Sequence, residues 1–445
     1  MSDELQKWFK DKGITEVEAI IPDLSGVARG KILPAQKYFQ ERGMRLPEAI
    51  FLQTVTGDYP EDDSMISQAE IDIMLRPDLD TLCPVPWANE PTAQIIHDAF
   101  YHDGRVVEIA PRHVLRRVLK LYDEHGWRPI VAPELEFYLV KQNHDADYPL
   151  EAPVGRSGRP ETGRQSYSID AVNEFEPLFE DVYNWCEAQG LGIDTLIHEA
   201  GLAQMEINLL HGDPLELADQ AFRFKRTMRE AALRHGIYAT FMAKPMAGQP
   251  GSAMHIHQNV MDKKTGGNVF SDKDGQTTPL FFAHIAGLQK YLPDAIALLA
   301  PNVNSYRRFT RHDSAPINVE WGYDNRTAGL RVPVSSPQAR RVENRVAGAD
   351  ANPYLAIAAS LACGYLGMIE HLEPSAPWEG SAYTGEFSFP RTLGEALQGL
   401  VNNAALKEVF GERFVAVYNA VKETEYEAFS TVISSWEREY LLLNV

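Results

Sequence analysis

The chain has 445 residues, 44% of them hydrophobic, which is enough for a normal core in roughly two or three domains and excludes a disordered protein. Its 62 acidic residues outnumber 42 basic ones, and the charge of −20 argues against a nucleic-acid footprint or binding to an anionic membrane. Cys83, Cys186 and Cys363 are widely spaced and odd in number, so they indicate neither a disulfide framework nor a thiolate metal site, and a reducing cytoplasm fits.

Met1 to Gly13 is charged and amphipathic and has no long apolar run, so a secretory signal is not expected. Glu16 to Pro22 reads as a strand, Asp23-Leu24-Ser25-Gly26 as a turn and Ala28 to Leu33 as the returning strand. Residues up to about Arg105 therefore form a first unit, a hairpin-based sheet with helices. Within it Thr54 to Glu61 is a loop, and Pro77 to Pro91 is a proline-rich path towards the next domain. From Pro111 a helix carries Val114, Leu115, Val118, Leu119 and Tyr122 at helical spacing and stops at Gly126.

Next comes Val131-Ala132-Pro133-Glu134-Leu135-Glu136-Phe137, a strand whose alternation puts Glu134 and Glu136 side by side while Leu135 and Phe137 face the core. Two adjacent anions in an apolar setting repel, and without a cation at least one must take up a proton. Lys141 to Gln165, rich in Gly, Pro and charge, is a surface loop. An amphipathic helix over Phe175 to Gln189 leads to His198-Glu199 and to Gln204-Met205-Glu206-Ile207-Asn208, where polar and apolar residues again alternate. Pro214 to His235 is a helix, Tyr238 to Ala243 a strand and Ala247 to Gly251 a glycine-rich loop.

Met254-His255-Ile256-His257 repeats the alternation with imidazoles, and Val260 to Gly275 makes a hairpin excursion. After a helix over Leu280 to Leu299, an arginine-rich segment runs from Tyr306 to Arg341-Val342-Glu343-Asn344-Arg345, where Val342 and Val346 alternate with charge as in a cavity wall. Arg307, Arg311 and Arg340 read as surface or interface charges, and His198, His211, His235 and His284 as structural. Tyr354 to Ile369 is shorter than the ~20 residues of a membrane span and reads as a buried helix. Four alternating segments thus offer Glu134, Glu136, Glu206, His255 and Glu343, with Glu199 close by. Such a carboxylate-dominated set suits two Mg²⁺ or Mn²⁺ ions better than Zn²⁺.

The motifs taken together resemble the successive signatures of glutamine synthetases: Ala132 to Phe137, His198-Glu199 with Gln204 and Glu206, Lys244-Pro245-Met246 with Gly251 to His257, Asn325-Arg326-Thr327 with Arg331, and Arg341 to Arg345. Asp23 to Lys31 is similar to the N-terminal domain of that family, so the resemblance covers nearly the whole chain. It implies an α+β fold, with a small N-terminal β-grasp domain over residues 1–105 and a catalytic domain over 106–445 whose curved antiparallel sheet is flanked by helices. Rings of subunits follow, hexamers or dodecamers, with each active site between neighbours. One metal is expected on Glu136, Glu199 and Glu206, the other on Glu134, His255 and Glu343. Arg308, Arg345 and Gly251 are expected to bind glutamate, Arg326 and Arg331 to act on the phosphates of ATP, and Asp194, His257 and Arg341 to lie on the nucleotide side.

Two positions depart from the ammonia-using enzymes. The flap position where they carry a glutamate is Ser314, before Ala315-Pro316, and the ammonium-binding aspartate of the N-terminal loop aligns with Thr54, though Asp58 could substitute. Val319 to Pro333 and Arg345 to Tyr354 resemble the γ-glutamylamine ligase branch, typified by γ-glutamylputrescine synthetase. Tyr383 lacks the context of the family's adenylylation tyrosine. The expectation is ATP-dependent ligation of the γ-carboxyl of glutamate to a polyamine or monoamine through γ-glutamyl phosphate. Asp58, Glu61 and Asp313 are candidate bases. An ammonia-using glutamine synthetase and a non-catalytic relative are the alternatives, and the second should have lost metal ligands.

Overall fold

The computed structural model describes residues 3–41, 43–61, 65–66, 69–311 and 314–445. Strands β1 (Glu16–Pro22) and β2 (Ala28–Pro34) pair antiparallel as the sequence suggests. Their turn is closed by Asp23, whose Oδ1 accepts the amides of Ser25 and Val27 at 2.9 and 2.8 Å, while Gly26 supplies a φ of +78°. Strands β3 (Met44–Pro47), β4 (Asp72–Pro77), β5 (Cys83–Pro84) and β6 (Thr92–Phe100) complete the sheet in the order β2-β1-β6-β4-β3, with β5 also on β6. The proline-rich stretch 77–91 does not lead out of this unit. It returns through β5 and delivers β6 to the middle of the sheet, parallel to β1, because Ala93, Ile95, Ile96 and Ala99 need apolar cover.

The second sheet contains β7 (Trp127–Lys141), β8 (Ile193–His198), β9 (Gln204–Leu209), β10 (Ile237–Thr240), β11 (Met254–Asp262), β12 (Trp321–Tyr323), β13 (Leu330–Val332) and β14 (Val342–Asn344). Its order is β12-β13-β14-β11-β7-β9-β8, with β10 on the far end of β7. Every pair is antiparallel except β12 with β13, so the expected antiparallel character gives way at that rim. On one face of β7, Leu135 and Phe137 are wholly buried, and Phe137 packs against Phe224 of the helix Pro214–Arg234 and against Phe241. The glutamates of β7 stand on the other face.

The helix Pro353–Glu370 is long and apolar enough to cross a membrane by composition, yet 89% of its apolar window is buried inside the protein. It packs against the helix Pro279–Ala295 at backbone distance: a Cβ added to Gly287 would lie 2.2 Å from the Cys363 carbonyl oxygen. All three cysteines are buried and free.

Arg112, at the start of the helix Pro111–Glu124, ties the two sheets together. It donates to Asp78 beyond β4, to Asp98 on β6 and to Asp219 on the helix Pro214–Arg234, at 2.6 to 3.0 Å. Removing the guanidinium strands these carboxylates in a buried setting. Arg112→Ala is therefore expected to lower the free energy of unfolding by about 3–5 kcal/mol, measured by denaturant titration; a loss below about 1 kcal/mol would show that the cluster behaves as a solvated surface pair.

Candidate active site

Strand register assembles the polar face one pair at a time. Glu136 lies opposite Glu206 and Glu134 opposite Asn208 across β7 and β9; His255 of β11 faces Glu134 from the other side. Further out, His257 is paired with Glu343 of β14, and Glu343 with Arg331 of β13. Glu199 follows β8 on a tight turn that ends at Gln204, where the Glu199 amide donates to the Gln204 carbonyl at 2.7 Å. A row of acids with imidazoles and arginines at one end is the direct product of period-two alternation in five neighbouring strands.

Like charges directly opposite each other destabilise a sheet, and the ionisation equilibria reflect that. Burial and the neighbouring Glu199 push the Glu136 carboxyl up to about 8. Burial and the surrounding carboxylates raise Glu206 well above the ordinary range, and burial raises Glu199. Burial also opposes ionisation of Glu134, but hydrogen bonds from His255 and His257, at 3.2 and 2.8 Å, hold it well below the usual carboxylate range. His255 is itself pushed down by burial and by Arg345, against the pull of Glu134 and Glu343. Burial works against Glu343 as well, yet Arg345 and the two histidines bring it to about 2.

Carboxylate oxygens of Glu136, Glu199 and Glu206 lie within 4.8 Å of one another, a spacing and a hard-oxygen chemistry that fit Mg²⁺ or Mn²⁺. These are the residues expected for the first metal. Of the second expected set, His255 Nδ1 lies 3.2 Å from Glu134 and 3.8 Å from Glu343. Glu134 also closes one cluster with His255 and Glu206 and another with His257 and Glu343, so His257, expected on the nucleotide side, stands among the metal-competent groups. Glu343 is also engaged by Arg331 at 2.7 Å and by Arg345.

Two cavities open along this face. One, of about 520 Å³, takes Asp194, His257 and Arg341. The other, of about 430 Å³, takes Glu136, Glu199, Glu206 and His255 together with Gly251, Arg308, Ser314, Arg326, Arg331 and Arg345. Arg308 and Arg345 are buried with their Nε atoms unpartnered, which suits an anionic ligand. Gly251 must be glycine, since a Cβ would lie 2.4 Å from Cγ of Arg308. Ser314 lines the wall with a φ of +63°, a left-handed conformation uncommon for serine.

Several side chains escaped sequence reasoning. Tyr167 and Tyr383 line the second cavity, and nothing in their local pattern distinguishes them from loop tyrosines. Gln204 was one of the alternating polar positions; its amide donates to Glu136, Gly251 and Ser252 and braces the strand ends. His198 is structural as expected, with Nε2 3.0 Å from Glu161 and Nδ1 2.7 Å from the Glu199 carbonyl. Lys244 donates to the Gln249 carbonyl, which anchors the glycine-rich loop. Arg340 bonds Phe270, Ser271 and Gly275 rather than lying free on the surface. The loop 53–58 reaches neither cavity: Thr54 pairs with Thr56 and Asp58, and the Val55 amide donates to Glu425. Glu61 is exposed, and Asp313 lies outside the described residues.

The raised carboxyls set a pH dependence opposite to that of most carboxylates. A Glu136 that titrates near 4.5 when unfolded and near 8 when folded makes the metal-free native state bind the extra proton, so stability falls as pH rises across that window. In chelator, melting temperature is expected to decline from about pH 5 to pH 8, with Glu206→Gln melting above the parent chain at the upper end. Added Mn²⁺ should reverse the order. A Glu206→Gln protein that melts below the parent in chelator at pH 8 would contradict the assignment.

Comparison with known proteins follows the same residues. The family model for the glutamine synthetase catalytic domain matches residues 108–441. The γ-glutamylputrescine synthetase of Escherichia coli is 37% identical over 96% of this chain and 92% of its own length. A glutamate–isopropylamine ligase of Pseudomonas sp. is 32% identical over 93% and 92%. Among solved structures, the GmaS/ADP complex superposes with a TM-score of 0.86 at 26% identity, covering 99% of this chain and 100% of that one. Its acid-lined sheet, its arginines and its sequence agree, and the chain belongs to the glutamine synthetase family.

Proposed function

We propose that this protein is an ATP-dependent ligase that joins the γ-carboxyl of glutamate to an organic amine, releasing ADP and phosphate. The observation that carries the reading is the contrast within one cavity. The groups suited to activating a carboxylate are all present, while the wall position where an ammonia-using enzyme would carry an acid is Ser314, a neutral hydroxyl. Similarity to an enzyme named for putrescine and to another named for isopropylamine supports the same branch.

A glutamate carboxylate resists attack, because expelling oxide from an anionic centre is unfavourable. Phosphorylation by ATP converts that oxygen into a leaving group. Both reactants are anions, so the site must neutralise them before they meet. Arg308 and Arg345 hold the glutamate carboxylates beside Gly251, and Arg326 and Arg331 balance charge on the transferring phosphoryl. Glu136, Glu199 and Glu206 would hold one divalent cation, and Glu134 with His255 and Glu343 a second; when bound, such ions supply Lewis-acid polarisation and offset phosphate charge. Asp194, His257 and Arg341 place the nucleotide in the first cavity. The amine then attacks the acyl carbon and phosphate leaves.

Residues 1–105 form an N-terminal domain and 106–445 the catalytic domain. Ring assembly, as a hexamer or dodecamer, explains why the loop 53–58 lines neither cavity of its own chain, with Val55 59% and the adjoining Tyr59 50% exposed: it closes the site of a neighbour. The setting is the cytoplasm, in keeping with three buried thiols.

The test is ADP release with ATP, Mg²⁺ and glutamate, comparing ammonium with a panel of mono-, di- and polyamines. One amine is expected to stimulate at concentrations where ammonium does little, and stimulation by ammonium alone would make the chain a glutamine synthetase. Ser314→Glu should shift preference towards ammonium by about tenfold or more. Glu136→Ala and Arg326→Ala should each remove glutamate-dependent ADP formation, by about 10²-fold or more; retained turnover in either would remove that residue from the site.

A further inference from the structure

Among the described residues, the two cavities have just two lining residues in common, Glu134 and Asn208. Glu134 belongs to the metal-competent clusters, whereas Asn208 does not. It stands opposite Glu134 across β7 and β9, two residues along the strand from Glu206 and on the same face. Its side-chain amide has no hydrogen-bond partner among the described residues: Oδ1 is buried, and the NH₂ group, which alone can donate to an anion, is left to a ligand in the cavities it lines. Gln204, the other amide on this face, is different: its NH₂ group is shared among Glu136, Gly251 and Ser252.

We infer that Asn208 is a catalytic residue of the phosphoryl transfer, with its side-chain amide donating to the γ-phosphoryl oxygens as they pass from the nucleotide cavity to the glutamate cavity. The inference rests on the ligase reading for the identity of the acceptor. In the step, an oxygen of the glutamate γ-carboxylate attacks the γ-phosphorus. The bond from that phosphorus to the β,γ-bridging oxygen breaks, and its electron pair leaves on ADP. No proton moves, so the group needed at the partition is a neutral donor that follows the moving charge. A carboxylate there would repel it, and an ammonium would be bound by the surrounding glutamates. An amide fixed on a strand between two cavities meets the requirement with no reorganisation.

The experiment compares nucleotide binding and turnover in the parent chain, Asn208→Ala and Asn208→Asp, each in Mg²⁺ and each checked for its melting temperature. The parent's preference for the non-hydrolysable β,γ-imido analogue of ATP over ADP isolates the γ-phosphoryl contact. In Asn208→Ala that preference is expected to fall about tenfold and kcat about 10²-fold, with KM for glutamate within about threefold. Asn208→Asp, nearly the same shape, should lose at least as much and decides the matter should the alanine variant not fold. Preference and kcat within about twofold of the parent would overturn the inference, as would equal weakening of ADP and the imido analogue, which assigns Asn208 to cavity shape alone. A parent chain that binds both nucleotides but turns over no amine would refute the ligase reading, and the binding preference would still decide the role of Asn208.

Discussion

The constraint on which this structure depends is the repulsion between Glu136 and Glu206, two carboxylates set directly opposite each other on adjacent strands with Glu199 beside them. A sheet built only for stability would not place them there. The fold holds the arrangement because the opposite face of β7 is fully committed to the core through Leu135 and Phe137, and a one-residue slip would put both acids into it. Hydrophobic packing thus fixes the acids in place, and their mutual repulsion makes the site a strong receptor for small cations.

From that row the chemistry divides in two directions. Towards β14 the acids are met by His257, Arg331 and Arg345, which lower the cost of ionising Glu343 and bring positive charge to where phosphate would lie. Towards β8 burial and the neighbouring carboxylates outweigh the arginines, and the acids remain proton-rich until a cation displaces the protons. Arg308 and Arg345 are buried with their Nε atoms unpartnered, so an anion would satisfy them. The result is one cavity that sets acids beside buried arginines, with Ser314, Tyr167 and Tyr383 completing its wall.

Much of this was legible in the sequence because alternation carries information. In Glu134 to Glu136, Gln204 to Asn208, His255 to His257 and Arg341 to Arg345, every second residue is chemically distinctive, and the period of a strand assigns all of them to one face. What alternation cannot supply is which strands are neighbours. The sharing of Glu134 between His255 and His257 follows from β11 lying beside β7, a long-range fact that no local pattern encodes. Tyr167 enters through the end of a long loop, and Glu161 reaches His198 across 37 residues, so neither had a periodic signal. The path of residues 77–91 was misread for a related reason: prolines suggest an exit, while the apolar run that follows them demanded a central place in the first sheet.

The central claim is that the γ-carboxyl is activated by phosphorylation before the amine arrives. Glutamate carrying heavy oxygen at both γ-carboxyl positions, incubated with ATP, Mg²⁺ and the stimulating amine, tests it directly by mass spectrometry of the products. The account predicts one heavy oxygen in the released phosphate and one retained in the γ-glutamyl amide. Phosphate free of label alongside newly formed amide would contradict it.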